Sequence, residues 1–234
     1  MYKLLLGITL VFLLAACKKE KPPAPGTDEK TFPLTGFNRV HARENLAVTV
    51  KQGTAFSVKA KGRSEDLADL AATIEQDNMI VFHYTETSNN RDKVEIEIVL
   101  PLLRFIHLRD KATGTISGFD QQTTAMKIVL SEMAQSTVTE LPVLVDAFLS
   151  ANSELTLSGT ASDLIASLLG SAKLYAYNAS FADADVYTAA KSVAQVRVQN
   201  SLAAFASGDS RIYYKGSPAS LAIEESEAAK VIKE

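Results

Sequence analysis

The chain has 234 residues and a nearly even charge balance, 24 Lys+Arg against 27 Asp+Glu, so it lacks the basic excess that a nucleic-acid face needs and no nucleic-acid partner is expected. Apolar residues make up 47% and charged ones 22%, which excludes wholesale disorder. With no Trp, three His and one Cys, the residue types that build metal centres and acid–base sites are scarce; no cofactor and no catalytic residue are expected.

Residues 1–16 have the three parts of a secretory signal: Lys3, an apolar run from Leu4 to Leu14, and small residues before the cut. The run is too short to span a bilayer. Leu14, Ala15, Ala16 and Cys17 resemble the bacterial lipobox, and Cys17 has no other cysteine to pair with. Lipidation of Cys17 is therefore expected, giving an outer-membrane lipoprotein that faces the periplasm or the cell surface, with the membrane as a partner through the anchor. Residues 17–31 hold that Cys and a Pro- and charge-rich spacer carrying Pro22, Pro23 and Pro25.

Residues 32–101 alternate with period two, as strands do. Leu46, Val48 and Val50 precede a turn at Gln52 and Gly53, and Phe56, Val58 and Ala60 precede Gly62. Ser64 reads as the cap of a short helix with Leu67, Leu70 and Ala71 on its apolar side. Met79–Tyr84 returns to strand, and Asn89 with Asn90 marks a hairpin before Val94, Ile96, Ile98 and Leu100.

Residues 102–234 repeat. Coil starts at Met126, Val145, Leu164, Ala184, Leu202 and Leu221 recur about every 19 residues. Two residues on come Ile128, Ala147, Ala166, Val186, Ala204 and Ile223, on the same side of the strand. A second inward column begins ten residues after each start, with Ser136, Leu155, Leu174, Ala194, Ile212 and Val231. Ile106, Leu108 and Ile116 fit an earlier rung. Two short strands per repeat, with Ser131, Ser150, Gly170 and Gly208 among the corner residues, predict an all-β solenoid preceded by an N-terminal β-rich segment. A sandwich is the competing architecture, but hairpin turns of the Asn-Gly kind are missing from this half.

Phe37–Val40, the Leu46–Gly53 stretch, Ile98–Pro101, the rungs and the closing Tyr214-Lys215-Gly216-Ser217-Pro218 together resemble the auto-transporter adhesin head GIN domain family, a domain of unknown function common in Bacteroidetes lipoproteins. The resemblance spans about Phe32 to Glu234. It implies a right-handed parallel β-helix with Gly-Ser-Gly corners, of which Gly170-Ser171 and Ser207-Gly208 keep a part. It transfers no catalytic residue.

Two outward features follow from the phase of the repeat. Asp163, Asp183 and Asp185 fall on neighbouring outward positions and form a weak candidate for a cation or for a pectate-lyase-like acidic site. Lys191 and Arg197 are the nearest candidate bases. A column three residues after each start reads Val129, Phe148, Ser167, Tyr187, Phe205 and Glu224. Burial of Phe148, Tyr187 and Phe205 against the N-terminal strands or a second copy, as in a homodimer, is the default expectation, and stacking on sugar rings the alternative. His41, His83 and His107 read as ordinary strand histidines. The functional expectation is a non-catalytic envelope lipoprotein that binds a glycan or a surface protein as an adhesin does, with a polysaccharide lyase or hydrolase as the alternative.

Overall fold

The computed structural model describes residues 28–88 and 90–234. The signal, Cys17, the spacer up to residue 27 and Asn89 lie outside them. Asp28–Thr31, read above as the end of the spacer, is a strand.

The strands in chain order are β1 (Asp28–Thr31), β2 (Arg39–Ala42), β3 (Leu46–Gln52), β4 (Ser57–Gly62), β5 (Leu70–Glu75), β6 (Met79–Tyr84), β7 (Val94–Leu100), β8 (Phe105–Leu108) and β9 (Thr113–Ser117). Then follow β10 (Met126–Leu130), β11 (Gln135–Thr139), β12 (Leu144–Leu149), β13 (Glu154–Leu168), β14 (Lys173–Thr188), β15 (Val193–Ala206), β16 (Arg211–Lys215), β17 (Ser220–Glu225) and β18 (Lys230–Lys233). A short helix, α1 (Ser64–Asp69), lies between β4 and β5.

From β8 onward these strands wind a parallel β-solenoid of about 7 turns with coils of about 20 residues. Every coil start predicted from the repeat pairs with the next: Met126 with Val145, Val145 with Leu164, Leu164 with Ala184, Ala184 with Leu202, and Leu202 with Leu221. The second column is in phase as well, running Ser136, Leu155, Leu174, Ala194, Ile212 and Val231. Because side chains alternate along a strand, this single phase sends both columns into one core between the two sheets. Ile128, Ala166, Val186, Leu155, Leu174 and Ile212 are fully buried.

One corner recurs with a fixed conformation. Six residues after each start, Glu132, Ala151, Gly170, Ala190, Gly208 and Glu227 all have φ between 58° and 75°. All but Glu227, in the last described coil, pass their carbonyl to the next coil, as in Ser171 N–H to Ala151 O at 2.7 Å and Asp209 N–H to Ala190 O at 2.7 Å. The left-handed corner is thus part of the ladder, and its hydrogen bonds hold even where the residue is not glycine. Two residues further on only Ala or Ser fits inside the bend. Ser153 and Ser192 are fully buried there and donate to Ser150 O at 2.9 Å and Ala189 O at 2.8 Å.

The N-terminal β segment joins the solenoid directly. β2 pairs in parallel with β8, and β3 with β9, so the segment supplies rungs of the same solenoid. β6 and β7 then pair on the far side of β2 and β3. Asn90 therefore lies in the connection from β6 to β7 and not in a hairpin, since β6 pairs with β2 and β5 while β7 pairs with β3 and β4. Ser64 does not cap the helix: Arg63 holds the N-cap position, and the Ser64 hydroxyl bonds to the Asp28 carboxylate. Leu70 and Ala71 begin β5, which pairs antiparallel with β6 across this end of the solenoid.

At the other end, Leu221 and Ile223 sit in phase with the core columns yet are 45% and 41% exposed. Among the described residues no coil lies beyond β17 to cover them.

The corner makes a measurable distinction. A side chain at Gly170 would meet Ala151 backbone atoms at 3.0 Å in a φ of +75°, so Gly170→Val is expected to cost about 2 kcal/mol or more. Ala190→Gly should change stability by less than about 1 kcal/mol, because relief of the left-handed strain offsets the added chain entropy. Urea unfolding midpoints of the two variants check this.

Candidate functional site: the outward column of one sheet

The outward column three residues after each start is continuous over one whole sheet. In register it reads Val81, His41, His107, Val129, Phe148, Ser167, Tyr187, Phe205 and Glu224. Tyr187 and Phe205 stack with ring centroids 4.8 Å apart and planes within 5°. That separation is the spacing of adjacent strands, so the ladder itself sets the stack.

The N-terminal strands, one of the two coverings expected for this column, do not cover it. They occupy further rungs of the same sheet, and Tyr187 is 43% exposed while Phe148 and Phe205 are half-buried. None of the three points into the core, as the phase requires. Phe148, Ser167, Leu169, Tyr187, Phe205 and Glu224 line an open groove of about 510 Å³. Leu169, 46% exposed, adds apolar surface to it.

The acidic residues fall where the phase puts them. Asp163 lies directly beside Asp183, and Asp185 beside Ile165 on an adjacent outward column. Among the described residues, however, no group of three His, Cys, Asp or Glu is arranged to hold a metal ion. Arg197 pairs with Lys215 on the opposite sheet, and Lys191 lies at the corner after β14, so neither faces the acidic column. Calorimetry with calcium is expected to give no tight stoichiometric binding, and Asp183→Asn should leave the trace unchanged.

Sequence reasoning missed the histidine pair. His41 and His107 stack at 4.8 Å with planes within 8°, because β2 docks against β8. The similar strings Arg39-Val40-His41-Ala42 and Phe105-Ile106-His107-Leu108 carried the signal, although 66 residues of intervening topology hid it. Burial is the first cause that lowers the His107 pKa from 6.5 to about 4, followed by the charge on His41 and then on Arg109. Burial also lowers His41, with Arg43 and Arg109 adding to the effect against Glu75 and Asp110. The His41 Nε2 atom is buried without a hydrogen-bond partner.

The family model described as "Putative auto-transporter adhesin, head GIN domain" matches residues 36–218. The chain belongs to this family. Solved structures share the head GIN fold at low identity. A putative adhesin from Bacteroides fragilis NCTC 9343 is 16% identical with a TM-score of 0.77, covering 90% of this chain and 98% of its own. A putative lipid binding protein from Parabacteroides distasonis ATCC 8503 is 16% identical with a TM-score of 0.66, covering 91% and 97%. A putative adhesin from the same strain is 13% identical with a TM-score of 0.64, covering 89% and 96%. No curated protein matches the chain.

In this head GIN domain the histidine pair links stability to acidity. A folded pKa below the unfolded value means that the unfolded chain binds more protons between the two, so stability present above pH 6.5 is lost as the pH falls toward about 4. The melting temperature should drop across that window, and His107→Phe should flatten the slope. Thermal unfolding at stepped pH checks this.

Proposed function

We propose that the protein is a non-catalytic, adhesin-like binding module of the bacterial cell envelope, held at the outer membrane through lipidated Cys17, and that the aromatic groove is its ligand face. The observation that carries this reading is the groove over Phe148, Tyr187 and Phe205: apolar rings kept accessible on a sheet face that none of the other described residues covers. Contiguous exposed apolar surface on a rigid scaffold marks interaction sites. Membership of an adhesin-named family supports a surface or envelope setting. A glycan or another surface protein is the partner class we assign, and self-association through the same groove is the competing outcome. The lyase or hydrolase alternative finds less support, because neither Lys191 nor Arg197 faces the acidic column and Asp163, Asp183 and Asp185 do not line the groove.

Two experiments test this. Cys17→Ser should move nearly all of the protein from the membrane to the soluble fraction, since stable anchoring depends on the acyl chains; retention in the membrane would refute the tether. Phe205→Ser and Tyr187→Ser should each reduce binding to an array of purified bacterial envelope polysaccharides and proteins at least tenfold while the circular dichroism spectrum stays native. Undiminished binding would refute the groove as the ligand face, and loss of a dimer in light scattering would move the assignment to self-association.

A further inference from the structure

The aromatic column is interrupted at one position. Phe148, Ser167 and Tyr187 are consecutive in register, each on its own coil, and Tyr187 continues to Phe205. Wherever two rings occupy consecutive positions of this column they lie 4.8 Å apart and nearly parallel, as with Tyr187–Phe205 and again with His41–His107. At Ser167 the side chain stops at its hydroxyl. One ladder position, bounded by Phe148 on one side and Tyr187 on the other, is therefore left open to the groove.

Resting on the reading of the groove as a ligand face, we infer that this position above Ser167 is a slot for a single neutral pyranose ring. A ring seated there lies about 4.8 Å from the planes of the two neighbouring coils. A pyranose seated there turns its axial C–H bonds toward the rings on both sides and its equatorial hydroxyls toward the strand and the groove mouth. The Ser167 hydroxyl supplies a hydrogen-bonding group at the floor of the slot.

The charge around the slot sets the class of sugar. Glu224 and Glu225 close the far end of the groove, Asp185 lies on the next outward column of the same sheet, and Asp163 and Asp183 lie one outward column further along the strands on that side. Carboxylates accept hydrogen bonds from sugar hydroxyls and repel uronic or sialic acids. Neutral hexoses and pentoses fit this rim, and acidic glycans do not.

The test uses Ser167→Phe, which fills the open position, completes the ladder and adds aromatic surface. The full chain, purified in a detergent without a sugar headgroup, is titrated by calorimetry with mannopentaose, xylohexaose, cellohexaose and laminarihexaose, with polygalacturonate as the charged control. The expected result is binding of at least one neutral probe and none of polygalacturonate. Ser167→Phe should weaken that binding at least tenfold with a melting temperature equal to or above that of the native chain, and Ser167→Ala should stay within threefold. Binding by Ser167→Phe at native strength, preference for polygalacturonate, or no binding of any neutral probe overturns the slot. If Ser167→Phe binds the envelope array normally while Tyr187→Ser does not, the slot fails and the groove stands. If neither variant loses array binding, both fail.

Discussion

Parallel pairing of each coil with the next at one constant phase is the constraint from which the rest of the molecule follows. When residue n of one coil must lie beside residue n of its neighbour, every outward position becomes a column and every column must tolerate its own contents about 4.8 Å apart. Opposite charges exploit this: Lys127 meets Asp146 at 2.9 Å and Lys173 meets Glu154 at 2.9 Å, both across one coil step. Rings exploit it too, which is why the two stacked pairs on the sheet share the same separation. Like charges also meet in register, Arg197 beside Lys215, Arg211 beside Lys230 and Asp163 beside Asp183, the last pair on the sheet that carries the groove.

A solenoid has two ends, and a strand at either end exposes unpaired backbone groups. The N-terminal end is closed by β1 and β4 on one sheet and β5 on the other, with α1 between them. A polar cluster secures that closure. Arg91 packs over the Tyr84 ring at 3.8 Å and bonds to Asp69 at 2.7 Å, while Arg63 bonds to the buried Asp66 at 2.7 Å. Burial and then Asp66 push the Tyr84 phenol up to about 12. The C-terminal end is handled by one side chain. Glu225 reaches across to accept the Val231 N–H at 2.6 Å and the Lys230 ammonium at 3.0 Å, and that backbone bond holds its carboxyl below the usual range. The outer edge of β17 keeps its apolar residues in view, so the two ends of one ladder are chemically unlike.

Function on such a scaffold depends on which columns break the rule of a polar, solvated face. The sheet opposite the groove carries Thr49, Thr115, Thr137 and Thr156 in register, β-branched residues suited to a wet surface, before the column passes to Tyr175, Gln195 and Tyr213. The groove sheet carries Phe148, an interruption at Ser167, and then Tyr187 and Phe205 stacked on each other. Rigid β-ladders hold such a pattern without loop motion, as the proposed recognition role requires.

The sequence by itself determined the repeat, its phase and the outward column, because period-two alternation locked to a recurring start leaves one register that sends the recurring apolar columns inward. Met126, Val145 and Leu164 were identifiable as neighbours for that reason, and Phe148, Tyr187 and Phe205 as outward residues. Tertiary structure alone decided how β2 and β3 enter the ladder. Their neighbours β8 and β9 come after a detour through β4, α1, β5, β6 and β7, and local alternation carries no information about which rung a strand will join. Hence the stacked His41 and His107 were invisible as a pair, Ser64 looked like a cap, and Asn90 looked like a hairpin turn. The left-handed corner was legible at Gly170 and Gly208 but not at Glu132, Ala151, Ala190 or Glu227. At those positions hydrogen bonds between coils impose a conformation that the residues' own preferences disfavour.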